Sequence, residues 1–360
     1  MNRQDCCSFG QLLALCSAAA MTPALRMIPS LSAAQAGRSA WLAVLSALPA
    51  ALLYAALLWR FGQRRRAGES TAALWQRAAG RGPGRILLLV FGLWLLFYAA
   101  FTLRSGAERL IGTVYPRADR RALILPLGLA SAAAGSGELR RLARTAKLML
   151  PLLIGAIALT LVFSLPELDA DNLLPLVPDD AAALLRGALP TLDVAGLVLT
   201  LLFFLSDSLT GEPRFRAVAL RILSVGTLTA AITAAAVGAF GHELTARLAQ
   251  PYFALVRSLV LFRSLERPEA LLVALWIFSD FRLTAALILA ARRSLAPLFG
   301  SLEPQTRFLG LPPLLLACFL APEAEAFSAL SLHLVPAINA AVCLLLIPGV
   351  FALGRLRKKF

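Results

Sequence analysis

Apolar residues in this chain come in long blocks, not in the narrow stripe of a helix resting on a soluble core. A helix that crosses a bilayer needs about 20 largely apolar residues, because the hydrocarbon layer is roughly 30 Å thick and each residue rises roughly 1.5 Å. That ruler marks ten segments, at about 9–31, 39–60, 85–107, 121–136, 146–165, 184–206, 217–241, 268–291, 308–321 and 331–354. The fourth and ninth are short, and Pro312-Pro313 sits near the start of the ninth. The stretch 251–262 is apolar but includes Arg257, with Arg263 just beyond, which predicts an amphipathic or re-entrant helix outside the count ahead of an eleventh span. The longest polar run, 61–84, is too short to build a soluble core. The pattern predicts one integral membrane unit over 1–360, all-α and polytopic.

Composition narrows this further. Hydrophobic residues make up 59% of the chain and charged residues 15%, with a mean hydropathy of +0.76; soluble proteins carry about 25% charge. The 35 Lys and Arg against 20 Asp and Glu give a net charge of +15, a balance that on a soluble fold would suggest nucleic acid. Sorted along the predicted spans, the excess marks a side of the membrane instead. With both termini cytoplasmic, 22 basic residues fall on inside pieces and ten on outside pieces, while Arg26, Arg104 and Arg282 stay within spans. The outside loop 166–183 carries Glu167, Asp169, Asp171, Asp179 and Asp180. This is the positive-inside pattern. It supports an even span count, makes the lipid bilayer the partner, and removes nucleic acid.

Chemistry by absence follows. Ser17-Ala18-Ala19-Ala20 has the look of a signal-peptide cleavage site, but the apolar run continues past it and only Arg3, offset by Asp5, precedes it, which predicts an uncleaved first span. Cys6, Cys7, Cys16, Cys318 and Cys343 form no C-x-x-C pair and no disulfide framework. Cys6-Cys7 at a membrane boundary reads as two reduced thiols before it reads as a lipidation site. His242 and His333 stand far apart without flanking ligands, so neither metal nor other cofactor is expected. There is no phosphate loop, nucleophile elbow or H-E-x-x-H pair, and the sequence points away from an enzyme.

The positive signals are interruptions and buried charges. Pro23 and Pro29 each remove a backbone donor, which predicts that the first segment opens near mid-membrane at Thr22-Pro23-Ala24. The sixth segment has its own interruption around Leu189–Asp193 and a second weak point at Ser206-Asp207-Ser208. Interrupted spans at matching places in two five-helix halves point to a 5+5 inverted repeat with the site between the broken ends; a proline kink in each is the plainer reading. On the first reading Thr22, Pro23, Ala24, Thr191 and Asp193 line the site. Tyr98 and Thr102, four apart on the third segment, either offer it hydroxyls or, the plainer reading, simply pack. Arg104 and Glu108, also four apart, are set to form an ion pair. Asp280 and Arg282, two apart, lie on different faces of one helix and look for partners elsewhere. Arg104, Glu108 and Asp280 are thus the ion-pair or coupling candidates. Arg26, just past the first break, either attracts a carboxylate ligand or snorkels to the interface.

Several stretches together resemble the endospore germination permeases, the GerAB-type B subunits of nutrient germinant receptors, within the amino acid–polyamine–organocation (APC) transporter superfamily. Ala36-Gly37-Arg38-Ser39-Ala40-Trp41 is similar to that family's Ala-Gly-Arg-x-Ala-Trp stretch after the first span. Gly137-Glu138-Leu139 with Arg141–Arg144 resembles its Gly-x-Glu…Arg element, and Asn172-Leu173-Leu174-Pro175 its Asn-Leu-x-Pro turn. The series Phe240-Gly241-His242-Glu243-Leu244, Tyr252, Leu265-Glu266-Arg267 and Ala274-Leu275-Trp276-Ile277-Phe278 follows the family's order. The resemblance covers about 10–355. It implies a LeuT/APC-like fold with helices 1 and 6 interrupted and a place in the inner membrane of the spore. It also implies a small-molecule nutrient ligand, commonly an amino acid, and A- and C-type receptor subunits as partners. The alternative is a proton- or sodium-coupled amino acid transporter. Thr22-Pro23-Ala24 stands where amino acid permeases usually carry a Gly-rich turn, and Asp193 and Gly196 stand where the carboxylate is expected slightly further in.

Overall fold

A computed structural model describes residues 6–174, 181–211, 213–258, 268–299, 306–321, 323–357 and 359. Nearly all of it is helical. The helices are α1 (Phe9–Arg26), α2 (Ile28–Ala36), α3 (Ala40–Gly62), α4 (Thr71–Ala79), α5 (Arg81–Thr113), α6 (Arg120–Gly135) and α7 (Leu139–Ser164). They continue with α8 (Ala181–Leu205), α9 (Phe215–Arg247), α10 (Pro251–Ser258), α11 (Pro268–Phe299), α12 (Leu311–Phe319) and α13 (Glu325–Leu356). Among the described residues, seven helical stretches are long and apolar enough to cross a membrane. The outer ones turn aliphatic side chains to the surroundings: Leu148, Leu152 and Val162 of α7 and Leu344 and Leu345 of α13 are exposed. That pattern suits lipid and would be costly in water.

The first segment does open, but not where the sequence placed it. Pro23 lies inside α1, and the break falls at Met27 (φ −105°, ψ −36°), between the two prolines. Pro29 cannot donate to the Leu25 carbonyl, so the turn above Met27 is the one that loosens. α1 starts at a capping box, with the Ser8 hydroxyl accepting from the Gln11 amide and the Gln11 side chain accepting from the Ser8 amide. The interruption expected around Leu189–Asp193 is absent: α8 runs unbroken through Pro190 and ends instead in a tight turn at Ser206–Ser208. Packing from outside holds it straight. Gly187 lets α8 close on α2 and α3, a Cβ there falling 2.8 Å from Ala36, and the Ser32 hydroxyl donates to the Gly187 carbonyl at 2.8 Å.

Two further differences concern polar segments. The run 61–84, expected as a polar loop, contains α4, whose Trp75 and Leu74 are fully buried against Phe91 and Phe204. Of the expected 251–262 element, Pro251–Ser258 is the short helix α10, with the Tyr252 hydroxyl donating to Thr160 at 3.0 Å. Its remainder, together with Arg263 and Leu265-Glu266-Arg267, lies outside the described residues, as do Asp179, Asp180 and Pro175.

α5 and α11 form the centre. Ser294 donates to the Leu88 carbonyl at 2.8 Å, and Gly92 and Gly106 let the two helices touch. The connections gather at two opposite ends. At one, Cys7–Ser8 pairs in parallel with Leu209–Thr210, Asp207 accepts from Arg293 at 2.9 Å and from the Thr71 amide at 3.3 Å, and Arg65 donates to Ser206 at 2.6 Å. Arg77 there bonds Glu69 and the Lys359 carbonyl, and Arg357 reaches the Ala79 carbonyl. At the other, Asn172 donates to the Gly238 carbonyl at 2.9 Å, beside the turn at Gly241 (φ +75°) that divides α9.

Candidate functional site

Met27, at the break, borders a cavity of about 480 Å³. Pro23, Met27 and Leu31 line it from α1 and α2, Tyr98 and Phe101 from α5, Asp193 from α8, and Asn339 and Cys343 from α13. Gln35, Arg186 and Ser331 line it as well. The walls are mostly apolar, as in a small-molecule site where a few polar groups fix orientation. The main polar group is Asp193. Its Oδ1 accepts from Asn339 Nδ2 at 2.7 Å, and the same nitrogen donates to the Asp193 carbonyl at 2.9 Å. Asn339 is held in turn: its Oδ1 accepts from Trp94 Nε1 at 3.3 Å, with the Cys343 thiol at 3.6 Å. Behind Cys343, Thr200 and Tyr54 share a 2.8 Å hydrogen bond. A polar line therefore ties α13 to α8 and α3 behind the cavity.

Next to the cavity, sharing the wall made by Pro23, Tyr98 and Phe101, lies a polar pocket of about 20 Å³, room for no more than a water. It is bounded by Thr22, Arg26, Thr102, Ser105, Arg109 and Asp280. Arg109 donates from Nη2 to Asp280 Oδ2 at 2.8 Å; both side chains are buried, and the guanidinium also stacks over Trp276 at 5.4 Å. Gly106 makes room for this pair, since a Cβ there would lie 2.9 Å from Asp280 Oδ2. Arg26 donates to the Ser105 hydroxyl and touches the Met27 sulfur.

The residues singled out in the sequence thus divide among four places. Pro23, Tyr98 and Asp193 line the large cavity, and Thr22, Thr102 and Asp280 line the small pocket next to it. Ala24 and Thr191 face a separate apolar cavity of about 80 Å³ between α1, α3, α8 and α9. Arg104 and Glu108 do pair, but away from both: Arg104 also donates to the Leu320 and Ala321 carbonyls at 3.1 Å, and Glu108 accepts from Arg120 at 2.7 Å. That is a clamp on the end of α12. Asp280 and Arg282 take separate partners: Asp280 pairs with Arg109, and the Arg282 guanidinium lies over the Phe278 ring at 5.8 Å.

Sequence reasoning assigned Arg109 to an outside connection, and it is buried inside α5. Asn339 was passed over as well. Its signal was available: a lone amide in an otherwise apolar run is costly in lipid unless it has a partner.

At the end opposite the cavity, polar bonds tie the helices together. Asp207 joins α8 to α11 through Arg293 and to α4 through the Thr71 amide. Partial burial pushes the nearby Glu69 carboxyl up, but hydrogen bonds from Arg77 and the Arg66 amide outweigh it and hold the group below its ordinary carboxylate value.

Comparison with known proteins fits this geometry. The chain matches the family of spore germination proteins over residues 7–327 and belongs to it. Among solved structures, that of MhsT in complex with L-phenylalanine shares the fold, with a TM-score of 0.70 at 16% sequence identity, over 99% of this chain and 90% of that one. No curated protein matches the chain.

Proposed function

We propose that this member of the spore germination proteins is the transmembrane B-type subunit of a nutrient germinant receptor. It binds an amino acid in the Asp193 cavity and passes the resulting change of shape to A- and C-type partner subunits. The observation that carries this reading is the cavity itself: about 480 Å³, placed at the break in the first span, with one hydrogen-bonded carboxylate in an apolar wall. That the related fold of MhsT was solved with L-phenylalanine bound supports an amino acid as the ligand class.

The helices are consistent with ten spans. Taking α1 with α2 as one broken span gives α3, α5, α6 and α7 as the second to fifth, and α8, α9, α11, α12 and α13 as the sixth to tenth. The short helices α4 and α10 then follow the second and seventh spans, equivalent places in two halves of five. In this reading both termini face the cytoplasm of the spore inner membrane, since the arginine-rich connections gather at their end.

A ligand shifts a conformational equilibrium only through differential affinity for the two states. The tied end built on Asp207 and the cavity on the opposite side describe one such state. Full-length protein in proteoliposomes, given labelled L-alanine, L-leucine and L-phenylalanine, tests the reading. Saturable binding without gradient-driven accumulation is the expected result. Accumulation driven by a proton or sodium gradient would replace the receptor with the coupled transporter, for which the same cavity would serve.

A further inference from the structure

Charges inside a membrane protein are costly unless matched, so an unmatched pair of opposite sign near one cavity asks for an explanation. Asp193 is one such charge. Among the described residues its only hydrogen-bonding side chain is the neutral Asn339 amide, and no cationic group pairs with it. Arg186, which also lines the cavity, already has a partner of its own. Arg26 is the other. The pocket beside the cavity holds two guanidinium groups and one carboxylate, and Arg109 makes the direct ion pair with Asp280. Arg26 is left with the Ser105 hydroxyl and the Met27 sulfur, both neutral.

The two unmatched charges flank the same wall. Pro23, Tyr98 and Phe101 border both spaces, so one wall of side chains separates Arg26 from the Asp193 cavity. Met27 lines the cavity and touches Arg26, and an unbranched thioether moves aside easily. We infer that the cavity is built for a zwitterion: the ligand's ammonium group pairs with Asp193, and its carboxylate displaces the Met27 side chain to reach Arg26. Asn339 acts as a positioning residue, since Trp94 donates to its Oδ1 and so turns its Nδ2 toward the Asp193 carboxylate. The inference rests on the amino-acid reading of the cavity and makes it specific, because compounds carrying only one of the two charges leave the other unmatched.

The test is equilibrium binding to the full chain in lipid nanodiscs. L-alanine, L-leucine and L-phenylalanine are measured first. The tightest binder is then compared with its decarboxylated amine and its deaminated acid. The amino acid should bind roughly tenfold or more tighter than either, the scale of one lost charge-assisted hydrogen bond. Arg26→Gln should abolish its advantage over the amine and leave amine binding unchanged, Arg26→Lys should restore part of it, and Asp193→Asn should abolish the advantage over the acid. An amine that binds wild-type protein as tightly as the amino acid overturns the inference while leaving the cavity as the binding site. So does an Arg26→Gln protein that weakens amine and amino acid alike. If Arg26→Gln does not fold, the wild-type ranking of the three compounds still decides. If none of the three amino acids binds, the amino-acid reading fails and this inference falls with it.

Discussion

Asp280 and Asp193 are two carboxylates within the helical bundle, kept in opposite company. Asp280 sits on α11 facing α5, buried, with the Arg109 guanidinium at 2.8 Å and room beside it for no more than a water molecule. Asp193 is half-buried on α8, bonded only to the neutral Asn339 amide, and faces about 480 Å³ of open space. The first is closed by a charge of its own chain and holds two central helices together. The second lacks such a partner and faces the space a ligand would occupy. In the proposed function the first is structural and the second a binding group, although the sequence offers both simply as acids in apolar runs.

The comparison breaks most visibly at Asp280. Asp280→Ala strands the Arg109 guanidinium, and losing one partner of a buried pair costs about 3–5 kcal/mol. The thermal midpoint in detergent should fall sharply, and adding Arg109→Met should recover much of the loss. The next effect is steric. Gly106→Ala puts a Cβ 2.9 Å from Asp280 Oδ2 and should cost about 1–3 kcal/mol. Gly155→Ala on α7, where a Cβ meets nothing within 4 Å, should instead gain roughly 0.5–1 kcal/mol from helix propensity.

The smallest effect lies at the tied end, far from both carboxylates. Glu69 titrates below its ordinary value in the folded protein, so its bonds to Arg77 stabilise above that ordinary value and lose their effect as pH falls through the lowered one. Glu69→Gln should therefore lower stability at neutral pH by less than about 1 kcal/mol. In acid, where both states are protonated, wild type and variant should unfold alike.

How much of this the sequence carried depends on what each feature is made of. α3 and α5 are legible because apolar length alone defines a span: 39–60 and 85–107 were expected where Ala40–Gly62 and Arg81–Thr113 are found. α4 is invisible to that ruler, since it is nine residues long and buries Trp75 against Phe91 of the next helix and Phe204 of α8. The break at Met27 was announced by two prolines, but which turn yields depends on neighbours, and at Pro190 the packing of Gly187 on α2 overrode the same signal.

In the site, Asp193 could be named as an acid in an apolar segment. Its Asn339 partner, 146 positions later, could not be paired with it from one chain alone. Arg109 was hidden for a related reason: at the end of a span, only the fold decides whether an arginine reaches water or turns inward.

The central claim is that Asp193 belongs to the binding site, and the most direct test compares wild-type and Asp193→Asn protein in nanodiscs for binding of L-alanine, L-leucine and L-phenylalanine. The account predicts that affinity for whichever of them binds falls roughly tenfold or more while the unfolding midpoint stays where it was. Unchanged affinity in a folded Asp193→Asn protein would contradict it.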